Sequence, residues 1–154
     1  MVRQEAEGQS GLPQDTIDFA HRMFDAARNG ESATLLQAVD AGLPLNLTND
    51  KGNTLLMLAA YAGHIDLTRA LISKGADPNR LNDNGQSPLA GAVFKGEDEI
   101  VRVLMAGGAS PRLGTPTAIQ TARIFKKTDV LEILGATEED MKDDIPQPPG
   151  PPSS

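Results

Sequence analysis

Glycine recurs at a fixed interval along this chain. Gly30, Gly63 and Gly96 stand 33 residues apart, each following a short Ala-rich stretch. The same interval links Gly42, Gly75 and Gly108, then Gly52 and Gly85, then Asn46 and Asn79, and it keeps Ala26-Ala27, Ala59-Ala60 and Ala92-Val93 in register. Agreement across so many columns identifies a tandem array whose units stack on their neighbours.

Within a unit the apolar residues fall twice at helical spacing, first as Leu55, Leu58, Ala59 and Ala62, then as Leu67, Leu71 and Ile72. Gly63 lies between the two helices, where the chain must stop and reverse, and tolerates the positive φ that such a stop favours. Asn49-Asp50-Lys51-Gly52 and Asn82-Asp83-Asn84-Gly85 supply turn chemistry for a projecting hairpin between units. One unit cannot bury both faces of its helices, so neighbours must share a continuous core.

The best-preserved unit, Asn49 to Asn79, contains Thr54-Leu55-Leu56-Met57-Leu58-Ala59-Ala60 and Gly75-Ala76-Asp77-Pro78-Asn79, and its successor carries Gly85-Gln86-Ser87-Pro88-Leu89. These segments resemble the ankyrin repeat. Leu55 and Met57 depart from the Pro and His that the family prefers there. The resemblance implies an all-α solenoid of four helix-turn-helix repeats with β-hairpin or turn loops, at about 15–47, 48–80, 81–112 and 113–135. The outer two are looser. In the first, His21 to Ala27 stands on the Thr-to-Ala-Ala column with its helix extended upstream to about Asp15; in the last, about three residues are lost around Gly114-Thr115-Pro116. Residues 1–14 are expected to be a flexible lead-in and 136–154 an acidic, then proline-rich, tail.

The 154 residues are 39% apolar, with one Tyr, four Phe and no Trp, so the core must come from Ala, Leu, Ile, Val and Met at short helix separations. The chain has no cysteine, which excludes disulfides and thiolate chemistry. No 18-residue apolar run or apolar leader is present, so a cytoplasmic location is expected, and in a eukaryote the nucleus as well. The net charge is −7, with three basic and seven acidic groups over residues 1–48, seven of each over 49–112, and four basic and seven acidic over 113–154. With no basic stripe, neither nucleic acid nor an anionic membrane is the expected partner, whereas a basic protein is permitted.

Catalysis finds no support. His21 faces the Thr column of a terminal repeat, His64 is the position where this family packs a ring between units, and Glu97-Asp98-Glu99 suits the N-terminus of a second helix. No phosphate loop or metal-ligand spacing appears, and no cofactor is expected. Thr137-Glu138-Glu139-Asp140 can cap one further helical turn. Beyond it, Ile145 to Ser154 cannot be helical, and although Pro148-Pro149-Gly150-Pro151 fits a PxxP pattern, no Arg or Lys flanks it, so it reads as a solvated linker.

Binding is the expected function, by a monomer acting on a protein partner. In the family the hairpin tips and the last exposed positions of the first helix line a concave groove. On this chain those positions are Thr48, Asp50, Lys51 and Asn53 in one unit and Leu81, Asp83, Asn84 and Gln86 in the next. Counting by 33 puts Arg28, Tyr61 and Phe94 on one row, with Ile124 next after the three-residue loss. Tyr61 and Phe94 are expected to form one recognition patch beside the Arg28 guanidinium. The rival is that the rings lean over Ala62 and Lys95 as packing. Three roles share this surface: an interaction scaffold, an escort or chaperone for a basic protein, and an inhibitor of a partner enzyme. The whole resembles the small stand-alone ankyrin proteins of bacteria and fungi.

Overall fold

A computed structural model describes residues 13–142. The lead-in up to residue 12 and the proline-rich segment 145–154 lie outside the described residues. Four helix pairs follow one another: α1 (Gln14–Asn29) with α2 (Ser32–Asp40), α3 (Leu55–Tyr61) with α4 (Ile65–Ser73), α5 (Pro88–Lys95) with α6 (Asp98–Ala106), and α7 (Ala118–Ile124) with α8 (Thr128–Ile133). A short α9 (Glu138–Lys142) completes the described chain. The first helices pack in one row, α1 on α3 on α5 on α7, and the second helices in another, α2 on α4 on α6 on α8.

Small side chains set the spacing of the first row. Ala27, Ala59, Ala60, Ala92, Ala118 and Ala122 are fully buried, so the helices approach closely, and Leu35, Leu71 and Leu104 fill the layer beneath the second row. Each hairpin hands over to its helix through a hydroxyl cap: Thr54 Oγ1 accepts from the Met57 amide, Ser87 Oγ from Ala90, and Thr117 Oγ1 from Gln120, each at 3.0 Å. His21 stands on this column but inside α1, because the first helix starts seven residues earlier, at Gln14.

Three residues are missing from the fourth unit's hairpin, not from its helices. In the second and third units Asn49 and Asn82 close the turn by donating to the Asn53 and Gln86 carbonyls at 3.0 Å. In the fourth, Thr115 instead donates to the Gly85 carbonyl of the preceding unit. Allowing for those three residues, position 126 falls in the column of Gly30, Gly63 and Gly96, and there Lys126 replaces the glycine and still takes a positive φ of 56.

Candidate functional site

The units leave a groove of about 460 Å³ between the first helices and the hairpins of the second to fourth units. Its floor is Met57, Leu58 and Tyr61 of α3, then Ala90, Gly91 and Phe94 of α5, with Pro116 and Thr121 closing the far end. Its rim is Lys51, Asn53, Asn82, Asn84 and Gln86. Tyr61 is 46% and Phe94 40% exposed, on helices whose other apolar residues are buried or, at Leu58, partly buried. The Lys95 ammonium lies 4.7 Å from the Tyr61 ring centroid, a cation–π contact from the next unit. Phe94 meets Phe125 edge to face at 5.6 Å.

One asparagine organises the rim. Asn82 Oδ1 accepts from the backbone amides of Asn84 and Gln86 at 3.0 and 2.9 Å, which fixes which way its amide points. Its Nδ2 then donates to Asn53 Oδ1 at 2.9 Å and Gln86 Oε1 at 2.8 Å. The hairpins are joined at their tips as well, by the Asp83 amide donating to the Lys51 carbonyl at 3.0 Å.

Of the positions expected to bind, Lys51, Asn53, Tyr61, Asn84, Gln86 and Phe94 come together in this groove. The others do not. Thr48 pairs with Thr54 across its own hairpin. Asp50 is exposed on the turn, Asp83 lies against Gly52, and Leu81, 39% exposed, rests near Gly114. Arg28 is not in the groove either: it lies on α1 of the first unit, and its guanidinium pairs with Asp25, one helical turn earlier, at 2.9 Å. Ile124 is half-buried, and the ring that continues the aromatic row is Phe125. Sequence reasoning missed Phe125, Gly91 and Asn82, although Asn82 repeats Asn49 at the 33-residue interval.

Neither histidine is arranged for chemistry. The His64 ring lies over Gly30 and donates through Nε2 to the Arg28 carbonyl at 2.7 Å, and His21 is exposed on α1. Among the described residues no cluster of three or more His, Asp or Glu could hold a metal ion, and no helix is long and apolar enough to cross a membrane. Among the described residues the carboxyl with a marked shift is Asp140. Its hydrogen bond from Arg112, at 2.6 Å, and then the Thr137 amide hold it well below the usual carboxylate range. This pair and the Arg123 donors to the Asp140 and Met141 carbonyls, each at 2.9 Å, tie α9 to the last unit.

Comparison with known proteins bears out the repeat fold. A family model of ankyrin repeats in three copies matches residues 23–115. An ankyrin repeat protein of Pseudomonas aeruginosa is 52% identical over 58 residues, 38% of this chain and 34% of that protein. Human ankyrin repeat domain-containing protein 29 is 45% identical over 60 residues, 38% of this chain and 20% of that protein. The chain therefore covers much less than two thirds of these relatives. The crystal structure of the human ASB11 ankyrin repeat domain superposes with a TM-score of 0.69 at 28% identity, covering 81% of this chain and 57% of that one.

Proposed function

The chain belongs to the ankyrin repeat family, and on that premise we propose that it is a binding module that holds a protein partner in the groove above α3 and α5. Ankyrin repeats are protein–protein interaction modules, which sets the class. The observation that carries the reading is the pair of half-exposed rings, Tyr61 and Phe94, side by side on the groove floor. Exposed aromatics on a rigid scaffold give large contact area with little side-chain entropy to lose, the composition of interface hot spots. The net charge of −7 and the short amphipathic helices favour a protein partner over nucleic acid or membrane, and an aqueous compartment such as the cytoplasm.

A regulatory version of the same reading draws on one relative. A protein named NF-kappa-B inhibitor cactus, from Drosophila yakuba, is 38% identical over 61 residues, although the chain covers only 12% of it. Blocking a partner enzyme would use the same groove and would appear as dose-dependent loss of that enzyme's activity.

The test is capture of partners on the purified chain from its native cell, followed by titration of each purified candidate. Tyr61→Ala and Phe94→Ala should each weaken a true partner by about 1 to 3 kcal/mol, while Arg102→Ala on the outer row leaves it alone. Unchanged affinity in both ring variants would refute the groove as the binding site.

A further inference from the structure

The groove reverses the charge of the chain that builds it. The 154 residues hold 21 acidic and 14 basic side chains, yet among the described residues that line the groove Lys51 is the one charged group, and no carboxylate contributes. A second ammonium stands over the floor, that of Lys95, 4.7 Å from the Tyr61 ring centroid. Both lysines are exposed, and among the described residues neither has an ion-pair partner. The cations of the second row differ. Arg69 meets Asp66 at 3.3 Å, Lys74 meets Asp40 at 2.7 Å and Arg102 meets Glu99 at 3.2 Å. Carboxylates adjoin the groove in sequence but turn onto neighbouring backbone, Asp83 against Gly52 and Glu97 over Gly63.

Geometry adds a spacing. Lys51 stands on the hairpin that precedes α3, and Lys95 reaches back from α5 to Tyr61, the last residue of α3. The seven residues of α3 rise about 10 Å. The two ammonium groups thus flank the ring floor at its hairpin end and at its helix end, a span of about three residues of extended chain. An ammonium has three donors and no acceptor, so Lys95 can hold a carboxylate while it stays over Tyr61. A docked chain that excludes water from the floor strengthens both contacts, and a ligand carrying cations there would face two like charges.

We propose that the groove selects an acidic, extended segment of its protein partner, with an aromatic or large aliphatic side chain on the floor of Tyr61 and Phe94 and carboxylates about three residues apart, one for Lys51 and one for Lys95. The inference deepens the binding role described above and rests on it. It runs against the net charge of −7, which by itself permits a basic partner. That net charge acts at long range and is screened beyond about 8 Å at physiological ionic strength, whereas the two lysines act in contact. Two separate lysines do not make the continuous basic track that a nucleic-acid backbone needs, so a peptide is the better match.

The probes are the blocked peptide Gly-Glu-Leu-Phe-Glu-Gly and its versions with Gln or Lys at both Glu positions. Each is titrated into the full chain in about 0.15 M salt while amide signals are read by NMR. The glutamate peptide should move the amides of Tyr61 and Phe94 but not those of Arg69 and Arg102. It should bind about tenfold more tightly than the glutamine peptide, with the lysine peptide weaker still. Lys51→Gln and Lys95→Gln should each narrow that preference about threefold at an unchanged unfolding midpoint. Lys95→Arg, which keeps the charge, and Arg69→Gln, on the second row, should preserve it. Equal affinity for the glutamate and glutamine peptides overturns the proposal, as does a preference for the lysine peptide or the absence of any shift at the groove. Tighter binding of a single-stranded oligothymidylate at the same amides also overturns it and would assign the groove to nucleic acid. If the charge preference is missing while Tyr61→Ala and Phe94→Ala still weaken a purified partner, this inference falls and the binding role stands; if neither effect appears, both fall.

Discussion

His64 and Gly30 form a single joint between the first two units: the imidazole crosses to the preceding repeat, lies over the glycine and donates to the Arg28 carbonyl at 2.7 Å. The same reach recurs along the stack, with the Glu97 carboxylate over Gly63 and the Lys127 ammonium over Gly96. Gly30 serves both the helix stop, at φ 73, and this contact, since a Cβ there would stand 2.6 Å from His64 Nδ1. Gly30→Ala should therefore cost about 2 to 4 kcal/mol, from left-handed strain and overpacking together. His64→Ala, which loses one hydrogen bond, should cost about 1 kcal/mol. The double variant should cost clearly less than the sum, because removing the ring removes the clash. Denaturant unfolding of the four proteins checks this, and strict additivity would mean that ring and glycine do not meet.

Leu71 and Leu104 occupy equivalent places on α4 and α6 and are fully buried. Truncation of either to Ala should destabilise by about 2 to 4 kcal/mol, read from the unfolding midpoint. An unaltered midpoint would show that the second row packs on another face.

The attachment of α9 should be sensitive to acid. Asp140 is held below the ordinary carboxylate range chiefly by the Arg112 hydrogen bond, so the folded state favours its ionised form. A depressed pKa contributes stability that is present above about pH 4 and is lost as pH falls from there towards the folded value. Amide exchange at Asp140 to Lys142 should accelerate across that acid range while the amides of α5 stay protected. Arg112→Ala should remove most of the pH dependence, and exchange that ignores pH would exclude this pair as the clasp.

Local chemistry made most of this fold legible. The helix pairs follow from apolar spacing, the stops from Gly30, Gly63 and Gly96, and the extra turn at Thr137 from a capping pattern in which Asp140 Oδ2 accepts from the Thr137 amide at 2.7 Å. The site was less legible because its arrangement is made between units. Asn82 is a turn residue by sequence and becomes the rim's organiser only when Asn53 of the preceding repeat lies beside it. Arg28 was placed with Tyr61 and Phe94 by the interval alone, yet Asp25, within its own helix, is the nearer partner. Register shifted the aromatic row too. Lys126 turns into the left-handed region where the other units use glycine, and the residue before it, Phe125, meets Phe94.

That contact sets the last expectation. Edge-to-face rings 5.6 Å apart hold each other in place, and Phe94 is otherwise 40% exposed, so Phe125 acts on the groove by fixing the pose of Phe94. Phe125→Ala should shift the ring resonances of Phe94 and weaken a groove-binding partner by about 1 kcal/mol, with little change in the unfolding midpoint. Ile124→Ala removes a half-buried side chain from the adjoining position, so it should lower the midpoint and leave the Phe94 resonances in place. If the two variants exchanged these effects, Ile124 would be the residue that extends the row and Phe125 a packing residue of the last repeat.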